Sequence, residues 1–155
     1  MYMVYDILDK IKSILDANDQ INTVTYGDIF EVDLNAQSIY PLAHVMLGSA
    51  TITDHVIEHS VSVLVMDVVD VSKKDLRDEA QPFYGVNNEQ DVLNTMLYVV
   101  NDLVQNLKKG DAHVDGFHLV GDPSCEPFTD RFENTLSGWG VDLSIQTRNK
   151  ISICG

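Results

Sequence analysis

Positive charge is the scarcest commodity in this sequence: ten Lys and Arg stand against 24 Asp and Glu, for a formal net charge of −14. From Ser13 to Ser72 there is no Lys or Arg at all, while Asp16, Asp19, Asp28, Glu31, Asp33, Asp54, Glu58, Asp67 and Asp70 all fall inside that stretch. A surface of this balance repels phosphate backbones and anionic membranes, which argues against a nucleic-acid-binding or membrane-surface role. Cysteine is nearly absent too. Cys125 and Cys154 make neither a zinc-ligand spacing nor a disulfide framework, and both read as reduced thiols of a protein made in the cytosol. No apolar run approaches the ~20 residues a bilayer-crossing helix needs. Asp6, Asp9 and Lys10 break up the start of the chain before a secretion signal can form. Internal repeats and low-complexity tracts are missing as well.

What is there describes one ordinary domain. A chain of 155 residues with 45% hydrophobic content buries roughly two-thirds of the surface its unfolded form exposes. Val4, Ile7, Leu8, Ile11, Ile14 and Leu15 recur at helical spacing, predicting an amphipathic helix over 2–17 that Asn18-Asp19-Gln20 ends. Thr23 to Tyr26 and Ile29 to Leu34 flank Gly27-Asp28, the pattern of a tight hairpin. Pro41 stands near the start of the next extended run, where a missing amide donor is tolerable.

The longest signal runs from Leu42 to Val71. His55, Ile57, His59, Val61, Val63 and Val65 share one face of a strand, and beyond Ser62 both faces turn apolar, as in the middle of a sheet. Gly48 to Asp54 reads as the connection to a partner strand or a bend within it, so a long hairpin is expected to project from the domain. The segment 72–88, charged and carrying Pro82 and Gly85, reads as a loop with two aromatics, Phe83 and Tyr84. Asn88 as N-cap, Glu89 and Asp91 in the first turn, Lys108 and Lys109 in the last, and Gly110 beyond predict a second helix in agreement with the helix dipole. Its apolar face is wide enough to need cover from more than one side. A short strand near Phe117 to Val120, a loop from Gly121 to Pro127, a strand from Val141 to Thr147 and an edge run at Ile151 to Cys154 complete the chain. The expected fold class is α+β: a mainly antiparallel sheet with two helices on one face and a long projecting β-hairpin.

Chemistry-bearing residues are few and scattered. His55-Val56-Ile57-Glu58-His59 has the H-x-x-E-H spacing of inverted zinc peptidases, a motif that needs a helix to bring both histidines to one metal. Here it runs into the period-two sequence Ser60-Val61-Ser62-Val63, and on a strand the two histidines stand about 13 Å apart. Asp111, His113, Asp115 and His118 are near neighbours whose plain reading is a polar loop. Cys125 lacks an activating neighbour in sequence, leaving only a spatial pairing with His118. Phosphate-cradling glycine motifs and a nucleophile elbow do not occur. Trp139, between Gly138 and Gly140, reads as an anchor into a core or an interface, since flanking glycines let another backbone approach. No enzymatic activity, cofactor or metal is expected.

The order of elements resembles a known group. Tyr40-Pro41-Leu42-Ala43-His44-Val45 opens the long strand pair, a strongly apolar helix follows, and the chain closes through Phe128-Thr129-Asp130-Arg131-Phe132-Glu133-Asn134 and Leu136-Ser137-Gly138-Trp139-Gly140-Val141-Asp142-Leu143. This pattern resembles the tail-terminator (tail-completion) and neck-ring proteins of tailed bacteriophages. The resemblance implies a structural virion protein, assembled in the host cytoplasm as a homo-oligomeric ring of six or twelve copies at the head–tail junction or the top of the tail. Its partners would be copies of itself and the adjacent neck, portal-side or tail proteins, with no membrane, and DNA would pass through the ring without specific binding. Within that frame Asp28, Glu31 and Asp33 are the candidate channel-facing residues, because they flank a tight turn inside the base-free stretch. Phe83 and Tyr84 are the candidate subunit or partner interface, or else fold back onto their own core. Two rival readings are a small cytosolic protein-binding or adaptor domain and a metal-dependent hydrolase built on His55 and His59 or on Cys125.

Overall fold

A computed structural model of the chain describes residues 3–27, 39–69, 89–131 and 136–149. Its elements run α1 (Met3–Asp16), β1 (Thr23–Tyr26), β2 (Leu42–Ile52), β3 (Val56–Val68), α2 (Glu89–Lys109), a one-turn α3 (Asp111–Val114), β4 (His118–Leu119), β5 (Cys125–Arg131) and β6 (Leu136–Arg148). The expected α+β architecture is present. Six strands form one sheet ordered β1-β2-β3-β6-β4, with β5 also pairing β6. Every pairing is antiparallel except β1 with β2. β4 and β5 share one edge of β6, meeting it at Gln146 and Ile145 and from Val141 to Leu136 respectively.

The helices cover one face of this sheet because the sequence supplies matching stripes. Ile7, Ile11 and Leu15 of α1 are buried against Val92, Met96, Val99, Val100, Leu103 and Leu107 of α2 and the inward side chains of β2, β3 and β6. Each such aliphatic side chain taken from water contributes roughly 1.5–3 kcal/mol before entropy is counted. On β3 the period of two is regular: Ile57, His59, Val61, Val63 and Val65 are buried on the helix side. On the opposite side Leu42, Met66, Phe128 and Leu136 make a second, smaller cluster with Tyr40. α2 ends where expected. Gly110 follows Lys109, its amide bonding the Asn106 carbonyl, and a Cβ there would lie 2.8 Å from the Asn106 Cα.

Trp139 takes the core role. Its indole packs between β6 and α2 and donates Nε1–H to the Leu93 carbonyl at 2.8 Å. Gly138 shows why glycine flanks it: an added Cβ would fall 1.9 Å from the Val65 carbonyl oxygen and 2.9 Å from the Met66 Cα. β3 and β6 are in register along their full length, Val56 opposite Arg148 and Val68 opposite Leu136, and can close up here only without a side chain.

Several expectations need correction. His55 is not on the β3 face; it sits exposed in the turn between β2 and β3, because Thr53 Oγ1 bonds the Val56 amide and carbonyl and closes the chain there. β6 begins at Leu136 rather than Val141, since Gly138 and Gly140 extend the ladder inward. β5 occupies part of what reads as a loop from Gly121 to Pro127, with Pro127 inside the strand opposite Trp139. β1 pairs with β2 in parallel; the second half of the predicted hairpin, Ile29 to Leu34, lies outside the described residues. So do the loop 72–88, the cap Asn88 and the run Ile151 to Cys154.

Candidate functional site

The histidines and the cysteine occupy separate neighbourhoods. His44 is fully buried where β1 meets β2, its Nε2–H donating to the Gly27 carbonyl at 2.8 Å. The other ring nitrogen, Nδ1, shares a hydrogen bond of 2.7 Å with Thr25 Oγ1, so both sides of the ring are engaged. Gly27, whose carbonyl meets the ring, has φ 123°, a backbone conformation that favours glycine. His44 is thus a staple for the parallel strand β1. His59 lies buried on the helix side of β3, its Nε2 without a hydrogen-bond partner among the described residues, and burial pushes its pKa down. His55 and His59 therefore do not face one another across a shared site.

His113 and His118 stack with ring centroids 4.3 Å apart and planes 21° from parallel. Stacking aligns the in-plane lone pairs side by side instead of converging them on one ion. Among the described residues no group of three or more His, Cys, Asp or Glu is arranged to hold a metal. Cys125 is half-buried against the main core, and desolvation pushes its thiol pKa up, away from a reactive thiolate. The structure does not bring it to His118. Cys125 pairs with Val141 and His118 with Gln146, five β6 positions away, or about 16 Å along the strand.

Surfaces are more informative than these groups. Beyond Val45 the strand β2 outruns β1, so among the described residues no strand pairs with its outer edge, and Gly48 to Ile52 are exposed. Together with the matching ends of β3 and β6 this part forms an arm exposed along β2, while Ile57 and His59, opposite Ile52 and Ala50, remain buried, so the expected projection of the hairpin from the domain is not seen on that side. Gly48 and Ser49 make a bulge opposite Ser60, between the Leu47–Val61 and Ala50–His59 pairs. Bulges of this kind twist a free edge and limit unspecific pairing. Ile52, at the tip, is 73% exposed.

Two concavities flank the sheet. One, of about 390 Å³, opens on the helix-free face over Met46, Leu64, Phe128 and Gly140, with Glu126 and Asp142 at its border and Ser62 donating to the Asp142 carboxylate at 2.6 Å. The other, of about 210 Å³, lies between α1 and β1. Tyr5, Leu8, Asp9 and Lys12 supply the α1 side at helical spacing i, i+3, i+4, i+7, next to the buried stripe. Tyr5 is 69% and Tyr26 56% exposed. The outer side of α2 likewise leaves Leu97 and Tyr98 exposed, so the wide apolar face predicted for this helix is not fully covered by the described residues.

The charge imbalance survives on the surface. Lys10 pairs with Asp115, Lys108 with Asp122, and Lys12 with Asp16 at 3.7 Å. The Lys108 ammonium holds the Asp122 carboxyl below its usual range. Asp6, Asp9, Asp19 and Asp54 stay exposed. The candidate channel residues Asp28, Glu31 and Asp33, and the candidate interface residues Phe83 and Tyr84, lie outside the described residues. Sequence reasoning passed over Tyr5, Tyr26 and Ile52; the available signal was a tyrosine beside, not on, the apolar stripe of α1. No family model matches the chain, and no curated protein is significantly similar to it.

Proposed function

We propose that this protein is a structural component of a tailed-phage virion, forming a homo-oligomeric ring at the head–tail junction or the top of the tail. The observation that carries this reading is the arm: an edge of β2 that no described strand pairs beyond Val45, ending in an exposed isoleucine. An uncovered edge and apolar tip are a liability for a monomer and an asset for an assembling subunit. Exposed Tyr5, Tyr26, Leu97 and Tyr98 add aromatic and aliphatic surface of the type that anchors interfaces. The acidic balance suits a lumen through which DNA slides, since carboxylates repel phosphates. In this reading Asp28, Glu31 and Asp33, following the turn at Gly27, face the channel.

Electron microscopy and native mass spectrometry of the purified chain test the proposal. Closed rings of six or twelve copies with an open centre are expected. A strictly monomeric particle at high concentration, alone and beside neck or tail proteins, would overturn it.

A further inference from the structure

The groove between α1 and β1 and the tip of the arm are complementary surfaces that one chain cannot join. Leu8, Val24 and Val45 floor the groove, and Tyr5 and Tyr26 stand as its walls. Ile52 lies on the same strand as Val45, seven positions further along, or about 20 Å away allowing for the bulge. A copy therefore cannot place its own Ile52 in its own groove. We propose that Ile52 at the arm tip of one copy inserts between Tyr5 and Tyr26 of the next, and that this contact propagates the ring. The inference rests on the ring-forming reading above and specifies the surfaces that meet.

Size and charge favour a second copy as the occupant. At about 210 Å³ the groove is smaller than the roughly 300–1,000 Å³ of small-molecule sites, and suits an aliphatic side chain. Its walls are tyrosines, which bury a large area at low entropic cost. Its rim carries one carboxylate, Asp9, and one ammonium, Lys12. The arm tip likewise carries one of each sign: Asp54 in the turn and Arg148 opposite Val56. Neither Asp54 nor Arg148 has an ion-pair partner among the described residues. Among the described residues Lys12 is held only by an exposed i,i+4 pair to Asp16, so redirecting it across an interface costs little. The groove and the tip are different patches of the same chain. Joining them gives a heterologous, head-to-tail contact, the type that closes into rings.

The test is disulfide trapping in the full-length chain, with Cys125→Ala and Cys154→Ala removing the native thiols. Mixing an Ile52→Cys variant with a Tyr26→Cys variant under mild oxidation should give a cross-linked heterodimer. The chain carrying both changes should give a covalent ladder ending at the ring's copy number. In parallel, Ile52→Lys should raise the protein concentration needed for assembly by about tenfold or more, with the subunit's circular dichroism unchanged. Rings that form without cross-links and tolerate Ile52→Lys would refute this contact while leaving the ring reading intact. A wild-type chain that never assembles would overturn the ring reading, and this contact with it.

Discussion

Replacing Gly138 by alanine is the sharpest test of how β3 and β6 hold the domain together. The added methyl would sit 1.9 Å from the Val65 carbonyl oxygen and 2.9 Å from the Met66 Cα. Both are backbone atoms of the central strand, so no side-chain rotation relieves the clash. The ladder must open around the Met66–Gly138 pair, weakening two or three hydrogen bonds worth about 1 kcal/mol each. Overpacking adds about 1–3 kcal/mol. Set against these is the entropic gain of Gly→Ala in the unfolded chain, about 0.4–1 kcal/mol. The expected loss is about 3–5 kcal/mol, a large share of the ~5–15 kcal/mol of an ordinary domain. Gly140→Ala is the control: its Cβ meets the flexible Leu64 Cδ2 at 3.1 Å and the Glu126 carbonyl only at 4.0 Å. It should shift stability by less than about 1 kcal/mol, because strain and entropy nearly cancel. Urea denaturation followed by Trp139 fluorescence reads both variants. If Gly138→Ala lies within 1 kcal/mol of wild type, the close approach of β6 to β3 described above is wrong.

Other outcomes follow from the buried polar groups. The pKa of His59 is lowered by burial, so the unfolded chain binds its proton first as pH falls. The stability this neutral histidine leaves intact above pH ~6.5 is lost progressively below it, down to the folded pKa. A His59→Leu variant should therefore show a flatter stability–pH curve between pH 7 and 5, measured by thermal melts; parallel curves would contradict this. Asp67 is shifted the other way, raised by burial and partly offset by the Val68 amide. Native Asp67 thus keeps its proton to higher pH than the unfolded chain does, so its contribution weakens as pH rises through the folded pKa. Asp67→Asn should raise the melting temperature at pH 7 more than at pH 4. Removing the His44 ring as His44→Leu should cost about 1–3 kcal/mol by leaving the Gly27 carbonyl and Thr25 hydroxyl unpaired. Hydrogen exchange should speed up in β1 ahead of β3. Trp139→Phe should cost about 1–2 kcal/mol in chemical denaturation, through the lost bond to Leu93 and a small cavity.

The sequence by itself determined the features that depend on local spacing. Ile7, Ile11 and Leu15 at helical period, the capped apolar stripe from Val92 to Leu107, and the alternation from Ile57 to Val65 each specify an element and its buried face without reference to anything distant. That Trp139 anchors a close-packed site was legible from its flanking glycines, and Gly138 is the one that a neighbouring backbone approaches. Tertiary structure alone decided which strands became neighbours. The parallel seat of β1 on β2 is stapled by His44, whose partners Thr25 and Gly27 are distant in sequence. The removal of His55 from the strand face depends on a turn closed by a threonine hydroxyl. The separation of Cys125 from His118 follows from two strands sharing one edge of β6, a long-range pairing that no local window encodes. The groove beside α1 and the isolated tip at Ile52 arise the same way. Burial is a property of what lands opposite a residue, so an exposed Tyr5 and a half-buried Leu8 are told apart only once β1 is in place.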